Sequence, residues 1–355
     1  MKDIKLAFIG CGKVANHYKN LMKKNSIKNI NVVGVCDTNI DIAKKFSKDF
    51  SKKYYNDIDQ MLEENQIDLV IICSPSGAHF YQAKKLIEKK INLIVEKPLT
   101  LTVHQSKLLD ELAKEKKIIL NVAFQNRLNP AIQILKKTFQ DKRFGKIVTA
   151  TVRLRWCRQQ EYYNDSWHGK WLSDGGVINQ QAIHHIDAFN WIVGPVDKVC
   201  SLSANQLNKL EAEDTFVAVL KLKNGGLGTI EATTAARPED FEASISIVGE
   251  KGMAEIGGIA LNKIKKWKFI DPVELDKTVF KDYSQEVPSG FGLSHLVLLK
   301  RVIEIISNNE DKIVISAEDS IKTTKLIHAL YKSDEDKKWI HLKEDPISTR
   351  LGKDN

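Results

Sequence analysis

The sequence predicts an α/β protein in two parts: an N-terminal doubly wound parallel sheet, then a C-terminal α+β domain on a large, mostly antiparallel open sheet. Three observations predict it. In residues 1–125, apolar runs of strand length alternate with amphipathic runs of helix length, the pattern of βαβ units with strands buried on both faces. From residue 147 onward the apolar residues fall at every second place, as in VTATVRLRW, the period of a sheet with one buried face. No stretch rich in Pro, Gly or Ser separates the two patterns. The division therefore falls at residue 125, giving domains of residues 1–125 and 126–345 and a tail of 346–355.

Each element follows in order. Residues 4–9 form a short apolar strand ending at glycine, 13–24 a helix, 32–36 a buried strand and 40–50 a helix. Residues 68–73 (DLVIIC) are a fully apolar strand, followed by the loop Ser74-Pro75-Ser76-Gly77. A helix at 79–89, a strand at 93–95 running into Glu96-Lys97-Pro98, a helix at 106–116 and a strand at 118–123 complete the first domain. One more helix follows Asn129-Pro130. Alternating strands are then expected at 147–156, 196–204, 215–222, 228–234 and 243–248, with helices at 177–192 and 293–306. The Lys-rich stretch after Ser333 reads as a solvated terminal segment. There is no internal repeat.

The composition, 43% hydrophobic and 28% charged, excludes wholesale disorder and fibrous repeats. The net charge of +9 raises three partners: nucleic acid, a membrane surface or an anionic small molecule. The lysines are spread over many helix surfaces with no helix-turn-helix or finger pattern, which argues against nucleic acid. No run of about 18 apolar residues occurs, which argues against a membrane span. The cysteines (Cys11, Cys36, Cys73, Cys157, Cys200) are odd in number and form no C-x-x-C pair, so zinc-ribbon and disulfide-scaffold readings fail and buried thiols in a reducing cytoplasm are expected. The start, with Asp3 ahead of a six-residue apolar run, reads as neither signal peptide nor anchor.

Gly10-Cys11-Gly12-Lys13-Val14-Ala15 follows a strand and opens a helix. Gly10 permits the tight turn, Gly12 lets a pyrophosphate approach the backbone, and small Ala15 lets helix and strand pack. The helix N-terminus offers N–H groups to phosphate. Asp37, ending the second strand, can accept from ribose hydroxyls and would repel a 2′-phosphate. The pattern predicts a Rossmann domain that prefers NAD to NADP.

Glu96-Lys97-Pro98 ends the strand at 93–95, beyond whose carboxyl end ligands sit in such sheets. A lysine there can hydrogen-bond a substrate hydroxyl. Here the sequence resembles the glucose–fructose oxidoreductase / inositol dehydrogenase (Gfo/Idh/MocA) family over nearly its whole length. The resemblance implies Lys97 as the active-site lysine and a cis Lys97–Pro98 bond. A third fingerprint, GGVINQQAIHHID, begins at Gly175-Gly176. Gln180 and His184 are four apart, so a helix would present them on one face. The resemblance makes His184 the general acid/base and Gln180 its orienting partner; His185 points elsewhere round the helix and reads as structural. No metal site is expected, since no H-x-x-x-H or cysteine pair accompanies these histidines.

The candidate cofactor-binding residues are Gly10, Gly12, Lys13, Val14, Ala15, Asp37, Ser74, Pro75, His79, Glu96, Lys97 and Gln125. The stretch from Arg155 to Trp171 (RWCRQQEYYNDSWHGKW) is dense in aromatic and basic residues, which can stack on a base or sugar and fork to phosphate or carboxylate. With Gln125-Asn126-Arg127 it looks most similar to the branch of UDP-N-acetylglucosaminuronic acid 3-dehydrogenases in lipopolysaccharide O-antigen pathways. Gln159, His168, Lys170 and Gln180 depart from that branch's pattern. The candidate substrate-binding residues are Lys97, Arg127, Arg158, Tyr162, Tyr163, Trp171, Asn179, Gln180 and His184.

The expected activity is NAD-dependent oxidation of the C3 hydroxyl of a UDP-N-acetyl-sugar, with 2-oxoglutarate as a candidate oxidant for recycling the cofactor. The resemblance implies a homodimer or homotetramer. The alternatives are a dehydrogenase or ketoreductase of another nucleotide sugar or a polyol, and a non-catalytic NAD-binding protein.

Overall fold

The computed structural model describes residues 3–27, 29–50 and 52–353. They fall into two compact units. The first runs from the N-terminus to Phe124 and takes in Leu293–Ile321; the second comprises Gln125–Gly292 and the chain from Lys322 onward.

The first unit contains β1 (Ile4–Ile9), α1 (Lys13–Asn25), β2 (Ile30–Cys36), α2 (Ile40–Ser47), β3 (Tyr54–Tyr55), α3 (Ile58–Glu64), β4 (Leu69–Ile72), α4 (His79–Glu88), β5 (Asn92–Val95), α5 (Val103–Lys116) and β6 (Leu120–Val122). The strands form one parallel sheet in the order β3-β2-β1-β4-β5-β6. The order reverses between β1 and β4, the switch point at which open α/β sheets bind ligands. Leu69, Val70, Ile71 and Ile72 are all fully buried, which is why this strand reads as an unbroken apolar run. Local capping fixes helix starts: Asn39 accepts from the backbone at the start of α2, and Thr102 at the start of α5.

The second unit begins with α6 (Pro130–Gln140), β7 (Ile147–Arg155) and α7 (Ile183–Val193). Strands β8 (Val196–Ala204), β9 (Thr215–Leu222), β10 (Leu227–Thr233), β11 (Glu242–Gly249), β12 (Gly252–Gly257) and β13 (Lys263–Phe269) follow, then α8 (Glu274–Asp282). With β14 (Ile340–His341) they make an eight-stranded sheet ordered β13-β12-β11-β7-β10-β9-β8-β14. Only the β7–β10 pair is parallel among these neighbours. One face is core: Ala150, Val152 and Leu154 of β7 and Ile230 and Ala232 of β10 are fully buried, and α7 packs on β7 and β11. The other face carries Val148, Val217, Val219, Leu227 and Val248, all exposed. The chain also forms α9 (Ser294–Ser307) and α10 (Ala317–Asp336).

The structure differs from the sequence reading in several places. The stretch 293–321, placed by a linear division in the second domain, belongs to the first unit. Its Val314 and Ile315 amides donate to Asn121 Oδ1 at 2.8 and 3.1 Å, and Val122 donates to the Ile315 carbonyl at 3.0 Å. The chain after Ser333 is not a solvated tail. It completes α10 and adds β14 to the edge of the second sheet, and its Asp334, Ile340, Ser348 and Leu351 are buried. The lysines of this region are carried on surfaces that hide an ordinary apolar stripe. The helix expected from residue 177 begins only at Ile183, because Ala182 donates to the Val177 carbonyl, a wider turn than the α-helix allows. Finally, β3, α3, β12, β13, α8, α10 and β14 were not foreseen; at β12 and β13, Gly and Lys break the alternation of residues 252–269.

No helix among the described residues is long and apolar enough to cross a membrane.

Candidate functional site

At the switch point of the first unit, Gly10 has φ +84°, and a Cβ there would lie 2.5 Å from the Ser74 amide and 2.6 Å from the Cys73 carbonyl carbon. The first turn therefore packs directly on the end of β4, and only glycine fits. Gly12 differs: it is exposed, it N-caps α1, and a Cβ built on it meets nothing within 4 Å. No side chain caps this helix and its first turn holds no acid, so its N–H groups and dipole face outward. Lys13 is exposed, Val14 half-buried and Ala15 fully buried, as the third small position requires. Asp37 holds the turn, accepting from the Cys11 amide at 2.8 Å with Oδ2 and from the Asn39 amide at 2.9 Å with Oδ1. A glycine cradle, an uncapped helix N-terminus and a carboxylate at the end of β2 fit a dinucleotide without a 2′-phosphate.

Two further candidates of this unit play a bracing part. His79 is buried, with Nδ1 2.8 Å from the Pro98 carbonyl and Nε2 2.9 Å from the Ser74 carbonyl. It ties the loop after β4 to the Glu96-Lys97-Pro98 turn; burial pulls its pKa down against the two carbonyls. Ser74 donates to Gln82 Oε1 at 2.6 Å, and Pro75 is exposed. The Lys97–Pro98 bond is cis and Lys97 is half-buried. Glu96 is buried, with His295 Nε2 3.4 Å from its Oε1. Burial pushes its carboxyl up, but His295, Lys97 and Tyr18 together hold it below the usual range. His17 is brought down to about 4 by burial and by the neighbouring His295. Sequence reasoning missed His295 and Tyr18: nothing near either of them marks a partner for the Glu-Lys-Pro turn.

In the second unit, every residue from 177 to 187 is buried except Gln180 and His184. The two candidates thus share the one side of this run that reaches solvent, although only His184 lies within α7. Asn179 is buried and donates to the Asp174 carbonyl at 2.6 Å, closing the turn. His185 is buried with its ring edge-on to Trp156 at 5.8 Å, and burial lowers its pKa to about 3. Arg127 is buried and gives Nε and Nη2 to Asp187 of α7 at 2.7 and 2.8 Å. Thr323 donates to the same carboxylate at 2.6 Å. Gln125 is buried, and its Oε1 has no partner among the described residues.

The aromatic stretch divides. Trp171 is buried edge-on to Tyr331 at 5.0 Å, and Tyr163 is buried with its hydroxyl 2.6 Å from Thr234 Oγ1. Tyr162 remains half-buried, 4.1 Å ring to ring from His168, which stacks on Trp167 at 3.6 Å. Arg158 pairs with Asp240 at 2.9 Å and lies 5.0 Å over Trp156 and 5.9 Å over Tyr162. A cavity of about 760 Å³ opens between Tyr163, His168, Lys170 and the loop 205–211. Of the substrate candidates, only Tyr163 lines it. Among the described residues no cluster of three or more His, Cys, Asp or Glu could hold a metal ion.

The family profile described as an oxidoreductase NAD-binding Rossmann fold matches residues 4–124, and that described as an oxidoreductase C-terminal alpha/beta domain matches residues 136–342. The WlbA dehydrogenase of Bordetella pertussis, solved in complex with NADH and UDP-GlcNAcA, superposes with a TM-score of 0.90 at 31% identity, over 96% of this chain and 98% of its own. The WlbA dehydrogenase of Chromobacterium violaceum, solved with the same two ligands, gives 0.88 at 32% identity over 96% of each chain. The curated scyllo-inositol 2-dehydrogenase (NAD(+)) of Bacillus subtilis is 26% identical over 264 residues, 72% of this chain and 74% of its own.

Proposed function

The chain belongs to the Gfo/Idh/MocA family of NAD-dependent oxidoreductases, and from that premise we propose that it oxidises the C3 hydroxyl of a UDP-N-acetyl-sugar, UDP-N-acetylglucosaminuronic acid foremost, to the 3-keto form. The observation that carries the substrate is the likeness, over 96% of this chain, to two dehydrogenases solved with NADH and UDP-GlcNAcA.

NAD, when bound, supplies the hydride acceptor; the protein supplies orientation and proton handling. Gly10, Gly12 and the first turn of α1 would hold its pyrophosphate and Asp37 its ribose. His184 takes the proton of the C3 hydroxyl, Lys97 hydrogen-bonds that oxygen, and Gln180 orients the sugar. Arg127, engaged by Asp187, fixes α7 and with it His184. Tyr162 and Arg158 are proposed to contact the nucleotide or the uronate.

The exposed side chains of Val148, Val217, Val219, Leu227 and Val248 on the outer face of the eight-stranded sheet, beside the Arg155–Glu231 and Arg155–Glu242 ion pairs, support a homodimer or homotetramer. Lipopolysaccharide synthesis in the cytoplasm, with 2-oxoglutarate recycling NADH, is the setting this reading implies. The deciding experiment follows NADH absorbance with UDP-N-acetylglucosaminuronic acid, with and without 2-oxoglutarate, against UDP-N-acetylglucosamine. A second reading, a polyol dehydrogenase, is favoured by the scyllo-inositol enzyme among the relatives. Turnover of inositol with none of the sugar nucleotide would establish it instead.

A further inference from the structure

The run that carries Asn179, Gln180 and His184 hangs on one buried acid. Glu213 directly precedes Asp214 at the entry to β9 and is 2% exposed. Its carbonyl accepts from the Val177 amide at 3.0 Å, and its Oε1 from the Ile178 amide at 3.3 Å. The Tyr331 hydroxyl, fully buried on α10, donates to the same Oε1 at 3.0 Å and accepts from the Gly176 amide at 3.0 Å. The carboxyl fills the space a side chain at 176 would take: a Cβ there would lie 2.0–2.3 Å from its three atoms. Gly176 is glycine so that this acid can sit under the turn.

We propose that Glu213 and Tyr331 are positioning residues for the proposed active site, fixing the backbone of residues 176–178 and through it the Gln180 and His184 side chains. This rests on the catalytic reading of that run. The proton on the acid is part of the device. Glu213 Oε2 has no partner among the described residues. Burial pushes its carboxyl up to about 8, so at neutral pH the acid is uncharged, with Oε1 accepting and the proton on Oε2. An ionised Oε2 would be a buried charged oxygen without a donor, far costlier than a buried hydroxyl.

The neighbouring charges do not supply a donor. Asp334 of α10 is held by Arg350 at 3.0 Å and Lys337 at 2.8 Å, and its charge raises the acid further. Asp174 bears on Tyr331 from the loop before Gly175 and raises its phenol. Asp214 turns to the amides of Gln206, Leu207 and Asn208.

The test is amide hydrogen exchange at residues 176–178 of the NADH-loaded protein across pH, corrected for intrinsic exchange. Opening this run exposes Glu213, which then releases its proton at its ordinary pKa of 4.5 instead of about 8. Wild-type protection should therefore fall about tenfold per pH unit through that window and then level off. Glu213→Gln should abolish the slope, and Tyr331→Phe should lower protection about fivefold at every pH. A Glu213→Gln slope equal to wild type, or unchanged protection in Tyr331→Phe, overturns the proposal. Turnover is the second reading: Tyr331→Phe should lower kcat about tenfold or more with KM for NAD unchanged. If the wild-type protein does not oxidise the sugar nucleotide, the proposed substrate falls, while the exchange slopes still decide the role of Glu213.

Discussion

His295 Nε2 stands 3.4 Å from Glu96 Oε1 inside the first unit, with both side chains out of solvent. The helix α9 returns after the whole second sheet to set this ring beside the Glu-Lys-Pro turn, where His17 and Tyr18 of α1 meet it edge-on at 5.0 and 4.9 Å. Glu96 titrates below its ordinary value, so its contribution to stability is present above the ordinary carboxylate range and is lost as pH falls through the lowered pKa. His295→Ala removes the ring that faces the buried Glu96 carboxyl and leaves Lys97 and Tyr18 alone to hold it ionised. The expected loss is about 3–5 kcal/mol near neutral pH, read by urea unfolding. Adding Glu96→Gln should restore part of it; no recovery would mean the loss comes from packing alone.

The two fingerprint glycines should fail differently. Gly10→Ala forces a Cβ onto the backbone of Cys73 and Ser74 at a left-handed φ, so the protein loses about 1–3 kcal/mol from conformation before any clash is counted. Gly12→Ala meets no protein atom within 4 Å. Its folding should be untouched and its NADH affinity about tenfold weaker or worse, equivalent to about 1.4 kcal/mol. Thermal melts beside NADH titrations separate the two; equal losses of stability would refute the distinction.

The difference between those glycines marks how much could be read beforehand. Turn chemistry and the buried strands of the first sheet were legible because Gly10, Asp37 and the run of residues 68–73 state local requirements. The GGVINQQAIHHID run was legible as a candidate, but not as geometry: the widened turn at Ala182 and the acid beneath Gly176 depend on residues far along the chain. The same holds for His295, Glu213 and Tyr331, each ordinary in its own segment. Arg127 and Trp171 show the converse. Their residue types suggested ligand contacts, whereas Asp187 and Tyr331 hold them in the second unit's core.

Cofactor choice should follow the charge at the end of β2. Asp37→Asn keeps an oxygen to accept the Cys11 amide but removes the negative charge facing a 2′-phosphate. NADPH affinity should rise relative to NADH by about tenfold, or about 1.4 kcal/mol. Fluorescence titration with both cofactors measures it, and an unchanged ratio would place selectivity elsewhere.

Arg127 and Asp187 should behave as one buried unit. Arg127→Met strands a carboxylate that still receives Thr323 but no cation, and about 3–5 kcal/mol should be lost. A double-mutant cycle with Asp187→Asn should return a coupling of about 0.5–3 kcal/mol. If Arg127 served the substrate instead, stability would hold and KM alone would rise.

The adjacent histidines of α7 give the sharpest test of the proposed chemistry. His184 is half-buried and shares its side of the run with Gln180, whereas His185 is buried, neutral with a pKa near 3, and packed against Trp156. Of the two, His184 alone reaches solvent, which the proposed proton transfer requires. His184→Ala should therefore lower kcat by about 10²-fold or more, and Lys97→Ala likewise, with NADH binding retained in both. His185→Ala should lower the melting temperature while the folded fraction keeps its turnover, because a neutral buried ring contributes packing and no proton. The reverse ranking of the two histidines would move the acid/base role off His184 and require a different residue to take the hydroxyl proton.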